Sequence, residues 1–268
     1  MKPAKLLSDI CGYLPAPHLQ MQLKQYAKII GKLPDLADEV WNFMNDNRKF
    51  MKKYSKDYRI VSLGADCLSR TYPTVYMLKP CRAAGEKGMP FDLTRTPPHS
   101  LAHMLENDFA DYINDKWFYD HKNGRWNNDP ATGIYYSHDR DCGPDQLAEL
   151  QQRVQQRIGN FREVLKFPGL VFFILHKRLE GDIKDIDRAC AALRKLRGDL
   201  PSKIIVIANY PEEEPAVLEN AEYFLLKHPI DADNWFEPEV RLTEEGVRYE
   251  MQCVKLIRQL LQNELGVK

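Results

Sequence analysis

Four short apolar runs do most to limit what this chain can become: Tyr58–Gly64, Leu170–Leu175, Lys203–Ala208 and Glu222–Leu226. Each is apolar continuously rather than at alternate positions, the pattern of a strand buried on both faces of a parallel sheet. Parallel strands need long crossovers, and helical periodicity fills the gaps. Leu147, Leu150, Val154, Ile158, Phe161 and Leu165 recur at helical spacing, as do Ile183, Ile186, Ala189, Leu193 and Leu196. Val247, Met251, Val254, Ile257, Leu261 and Leu265 close the chain in the same way. This alternation predicts an α/β fold, a mainly parallel sheet with helices on both faces. Gly133–His138 would add an edge strand.

Ahead of the first run the pattern is purely helical. Leu19, Leu23, Tyr26 and Ile30 share one face before Gly31, a helix stop. A second helix starts at Asp35 behind Pro34, with Leu36, Val40, Phe43, Phe50 and Tyr54 along one side. The 268 residues therefore divide into a helical extension, 1–55, and an α/β domain, 56–268. The extension packs on the domain or, alternatively, docks a partner as a helical hairpin. Between Asn114 and Thr132 runs a polar loop carrying Trp117, Phe118, Tyr119 and Trp126, with the hairpin signal Asn123-Gly124 inside it.

Composition excludes several classes. Lys plus Arg and Asp plus Glu are both 38, so the formal net charge is zero. A nucleic-acid binder or a polybasic membrane-surface protein needs an excess of cations. The balance also argues against a strongly charged substrate. Gly169–Leu175, the longest apolar run, is far short of the roughly 20 residues that cross a bilayer. Asp9 interrupts the N-terminal apolar stretch, a poor signal peptide, so a cytoplasmic location is expected. The cysteines at 11, 67, 81, 142, 190 and 253 contain no C-x-x-C pair. No G-x-G-x-x-G, Walker A or G-x-S-x-G motif occurs, and Ser100 stands where a zincin helix bearing His99 and His103 would need Glu. Neither a cofactor nor a metal is expected. Arg197-Gly198-Asp199 reads as a helix stop.

The segment that carries chemistry is Val61-Ser62-Leu63-Gly64-Ala65-Asp66-Cys67. A buried strand ends in a glycine turn, and a cysteine follows where a helix can begin. The unpaired N–H groups and dipole of a helix start favour thiolate over thiol. The carboxyl end of a strand also faces the crevice where open α/β sheets bind ligands. Pro73 would remove one hydrogen bond from such a helix. The plainer alternative is a small buried hydrophobe. His176 and His228 follow the second and fourth runs and so point to the same edge.

Ser62-Leu63-Gly64-x-x-Cys67, Pro90-Phe91-Asp92, Glu106-Asn107-Asp108-Phe109 and His138-Asp139, in this order, resemble the blocks of a bacterial family named for papain-like cysteine peptidases, a domain of unknown function. The resemblance covers roughly 58–173. The family often has Trp where Leu93 stands and Asn where Asp66 stands. It implies a cysteine hydrolase or acyl transferase with Cys67 as nucleophile, His138 as base and Asp92 as the orienting carboxylate, unless Asp92 caps the turn at Thr94 or Thr96. His176 and His228 are rival bases, and Asp139 is a rival orienter. Asp66, Asp139, His176, Trp117 and Trp126 would contact a peptide, glycan or small-molecule substrate. Backbone N–H groups around Asp66 and Cys67 would hold an oxyanion. The family name implies a papain-like α+β fold, as the alternative to the layout read from periodicity. A nucleophile just after the first strand is closer to the GDSL/SGNH hydrolases, although their Gly-Asp-Ser triplet and late Asp-x-x-His block are missing. Two other functions compete. One is a non-catalytic binding module that stacks Trp117, Trp126, Trp235 and Phe236 on a sugar or base. The other is an interaction protein that uses residues 1–55.

Overall fold

The computed structural model describes residues 29, 31–92, 94–136, 138–139, 141–178, 181–210, 214–229, 235 and 237–267. The chain is mixed α/β. Its main sheet has four parallel strands, β1 (Tyr58–Ser62), β6 (Leu170–Lys177), β7 (Ser202–Ala208) and β8 (Glu222–Leu225), in the order β1-β6-β7-β8. All four apolar runs are strands of this sheet. The eight residues of β6 are all buried, so both faces of the sheet's centre are covered. That is the physical meaning of an unbroken apolar run.

The crossovers contain α2 (Leu68–Val75), α3 (Pro98–Glu106), α4 (Leu147–Leu165) and α5 (Ile183–Arg197). A single core joins one sheet face to α3, α4 and α5. Val61, Phe173, Leu175 and Val206 meet Leu101, Leu105, Leu150, Val154, Phe161, Ile186 and Leu193. The caps match local rules: the Asp182 side chain accepts the Lys184 N–H at the start of α5, and Gly198 ends it at φ +57°.

A second, small sheet is antiparallel. It comprises β2 (Thr94–Arg95), β5 (Tyr135–Tyr136), β4 (Arg125–Asn127) and β3 (Phe118–Asp120), in that order. The aromatic segment expected to be loop therefore holds two strands, joined at Asn123-Gly124 with Gly124 at φ +61°. Tyr135–Tyr136 lies inside this sheet, between β2 and β4, rather than at the edge of the parallel one. Turn chemistry overrode polarity there, because Trp126 and Tyr136 face each other across strands and bury their rings together.

The chain forms two compact units. One contains Lys56–Thr71, Gly88–His228 and Leu261–Lys268, and carries both sheets. The other joins the described part of the first 55 residues to Tyr72–Lys87 and Pro229–Leu260. The helical N-terminus is thus not a separate extension. In this unit α1 (Pro34–Tyr54) buries Leu36, Val40, Met44 and Phe50. Asn47 donates to the Tyr76 carbonyl at 2.9 Å and accepts from Arg258 of α7 (Glu244–Leu265) at 3.2 Å. Glu250, also on α7, is buried against Arg241 of α6 (Pro238–Arg241) at 2.6 Å. Gly31 and Lys32 are helical and the break falls at Leu33; of the first amphipathic segment, 19–28 and 30 lie outside the described residues. No helix among the described residues is long and apolar enough to cross a membrane.

Candidate functional site

The site is built at the carboxyl edge of the parallel sheet. Pairing of β1 with β6 runs one residue past the strand, where the Leu63 N–H donates to the Ile174 carbonyl at 2.9 Å. The chain then reverses through Gly64 at φ +84° and Ala65 at φ +66°. Gly64 is required twice over. Its φ is left-handed, and a Cβ there would lie 3.1 Å from the Thr96 Cβ and 3.3 Å from that of Phe91. Ala65 has no such freedom, and a non-glycine residue held there costs about 1–2 kcal/mol. Strain of this kind persists where surrounding contacts fix the backbone. Here Ser62 Oγ and Ser69 Oγ are hydrogen-bonded at 2.9 Å, tying the strand end to the first turn of α2.

Cys67 is the residue before α2. Its carbonyl accepts the Thr71 N–H at 2.8 Å, the first hydrogen bond of the helix. Cys67 is partly exposed, whereas Cys81, Cys142, Cys190 and Cys253 are buried. Burial pushes the Cys190 and Cys253 thiols up to about 12, which leaves them protonated and unreactive at neutral pH. Cys11 lies outside the described residues.

Asp66 organises the surroundings of Cys67. Its Oδ1 accepts the Leu68 N–H at 2.9 Å. Its Oδ2 lies 2.7 Å from His176 Nδ1 and 3.4 Å from Arg178 Nη1. Burial works to raise the Asp66 carboxyl, but the His176 imidazole, the Leu68 N–H and Arg178 together hold it below the ordinary carboxylate value. An ionised carboxylate only accepts, so His176 Nδ1 must carry the proton in this contact. Nε2 is then left for other work, and it is buried without a hydrogen-bond partner. His176 is the seventh residue of β6 rather than the residue after the strand, and it is fully buried.

The other expected residues are placed differently. His138 is exposed and follows β5 of the small sheet. Its neighbour Asp139 is buried and gives both oxygens to Arg157 of α4, at 2.5 and 2.9 Å. Asp139 is thereby a structural partner of a buried cation. Asp92 neither caps Thr94 nor Thr96, whose hydroxyls bond each other at 2.9 Å. Its Oδ2 accepts the Met89 N–H at 2.8 Å and lies 3.3 Å from Arg70 Nε, which anchors the first turns of α2. The carboxylate on an imidazole is Asp66, not Asp92. Trp117 is buried and stacked on Tyr136 at 5.0 Å, and Trp126 is buried with Nε1 donating to the Gly143 carbonyl at 3.2 Å. Both rings are packed in the core; Trp126 satisfies its N–H there, whereas Trp117 Nε1 is buried without a hydrogen-bond partner. Trp235 is also buried, and Phe236 and Leu93 lie outside the described residues. His228 follows β8, is buried, and donates its backbone N–H to the Asn209 carbonyl at 2.8 Å.

Two residues of this edge escape a reading by motif: Arg178, which follows β6, and Asn209, which follows β7. The signal in the sequence is slight: Asn209 directly follows an apolar run, and Arg178 comes three residues after one. Comparison with protein-family models, curated proteins and solved structures found no match to this chain.

Proposed function

We propose that this protein is a cysteine-dependent hydrolase or acyl transferase, as the blocks resembling papain-like cysteine peptidases imply, with His176 rather than His138 as its base. The observation that carries the reading is the Asp66–His176 pair, 2.7 Å apart and one residue from Cys67, with the far imidazole nitrogen unpartnered. Nε2 takes the thiol proton as sulfur attacks an acyl carbon. The same proton passes to the leaving group as the tetrahedral adduct collapses to a thioester, and water or a second nucleophile then releases the acyl group. First-turn N–H groups of α2 without an intrahelical acceptor stabilise the oxyanion. The Leu68 N–H is already taken by Asp66. A four-stranded parallel sheet with the proposed nucleophile after its first strand is closer to the SGNH arrangement than to papain. The described residues contain no closed barrel. Free thiols at all five described cysteines suit a reducing compartment such as the cytoplasm.

Iodoacetamide labelling followed by peptide mapping tests this reading. Cys67 reacts first, and Cys67→Ala removes turnover of acyl thioester and peptide-amide panels. Labelling of Cys67 no faster than that of the buried thiols overturns it.

A further inference from the structure

The edge that holds His176 holds a second unsatisfied side chain. Asn209 is fully buried, and both its Nδ2 and its Oδ1 lack a hydrogen-bond partner. Asn209 is the residue after β7, where the regular alternation ends: the Leu226 N–H donates to the Ala208 carbonyl and the His228 N–H to the next carbonyl, that of Asn209, each at 2.8 Å. His176 is in register with Ile207 on the neighbouring strand. Asn209 therefore lies at the same edge of the sheet as His176, two residues beyond the position that pairs with it on the adjacent strand.

Leaving a buried polar group unpaired is costly, and an asparagine carboxamide presents a donor and an acceptor together. A fold keeps such a cost where a ligand repays it. The complement of one donor and one acceptor in a plane is another amide. An ester or thioester has no donor. A carboxylate has none either, and would bring an unpaired charge into a buried position.

We infer that Asn209 is a substrate-positioning residue that pairs with an amide group of the substrate, so that the site takes amide-bearing substrates in preference to esters. This rests on the reading of Cys67 as nucleophile. Asn209 forms no covalent bond to the substrate, and the acyl-transfer step is unchanged.

The probes are haloacetyl reagents whose terminal carboxamide lies one, three or five methylenes from the reactive carbon, each matched by its methyl ester. Alkylation of Cys67 in the full chain is divided by the rate of the same reagent with N-acetylcysteine. At one tether length the carboxamide is favoured about tenfold or more, the factor expected of one net hydrogen bond. Asn209→Leu brings the ratio close to one, and Asn209→Ser serves if the leucine variant does not fold. A wild type without preference at any length, or a preference unchanged in the variants, overturns the inference while Cys67 remains hyper-reactive. A Cys67 no more reactive than N-acetylcysteine overturns the underlying reading instead.

Discussion

Two carboxylate–imidazole combinations can be set side by side. His138 and Asp139 are neighbours in sequence, yet the Asp139 carboxylate is fully engaged by Arg157 and His138 is exposed. Asp66 and His176 are 110 residues apart in sequence and share a hydrogen bond of 2.7 Å. Adjacent residues on an extended chain point to opposite sides, so a His-Asp dipeptide seldom forms its own pair. A parallel sheet does the reverse, bringing the carboxyl ends of distant strands to one edge. The two acids consequently do different work: one neutralises a buried guanidinium, and the other polarises an imidazole.

The sharpest way to break this comparison is to remove each imidazole in turn. His176→Gln is expected to lower the second-order rate of Cys67 alkylation and of acyl transfer about 10²–10⁴-fold, the usual contribution of a positioned general base. His138→Gln is expected to leave both within about twofold, since a surface substitution away from buried features changes little. Folding of each variant is checked by circular dichroism and urea unfolding. A large loss in His138→Gln with none in His176→Gln would return the base to the sequence-adjacent pair.

Removing the other acid is a test of stability. Asp139→Asn leaves Arg157 buried with its charge uncompensated, and breaking a buried pair from one side costs about 3–5 kcal/mol. Urea unfolding measures it. Arg157→Met with Asp139→Asn together should recover much of that loss, because the uncompensated charge is gone. An Asp139→Asn protein of unchanged stability but lost activity would instead make Asp139 part of the site.

The parallel sheet was legible because its strands are buried on both faces, which writes an unbroken apolar run into the sequence; β7 differs from the reading by one residue and β6 by two. The helices were legible from their apolar spacing. The small antiparallel sheet was not. Its strands are two or three residues long, too short for a period to show, and Trp117 and Trp126 sit among polar neighbours although they are core. Cys67 could be found because a strand, a glycine turn and a helix start are all local. A base for the proposed chemistry could not be chosen among His138, His176 and His228, because register between strands more than 100 residues apart leaves no local mark. Asp92 drew attention as part of a motif, but it serves as an anchor for Arg70 and the Met89 N–H.

The smallest effect expected is on the pH dependence of stability at Asp66. Its carboxyl is held below the ordinary value in the folded chain, so the native state binds fewer protons there than the unfolded state does. The stabilisation is therefore complete above the unfolded value of about 3.9 and is lost as pH falls through the lower folded value. Asp66→Asn keeps the oxygen that accepts the Leu68 N–H and removes the charge facing His176 and Arg178. Wild type should exceed this variant by a gap of about 1.5–3 kcal/mol, the range for a hydrogen bond to a charged group. Urea midpoints at stepped pH should show that gap steady from neutral pH to about 4 and closing below it. A gap that never closes would mean that Asp66 acts by shape alone. Asp66 exchanges a hydrogen bond with the proposed base, so the same variant also slows Cys67 alkylation, by less than His176→Gln does, whereas Asp139→Asn changes stability and leaves the alkylation rate of folded protein where it was.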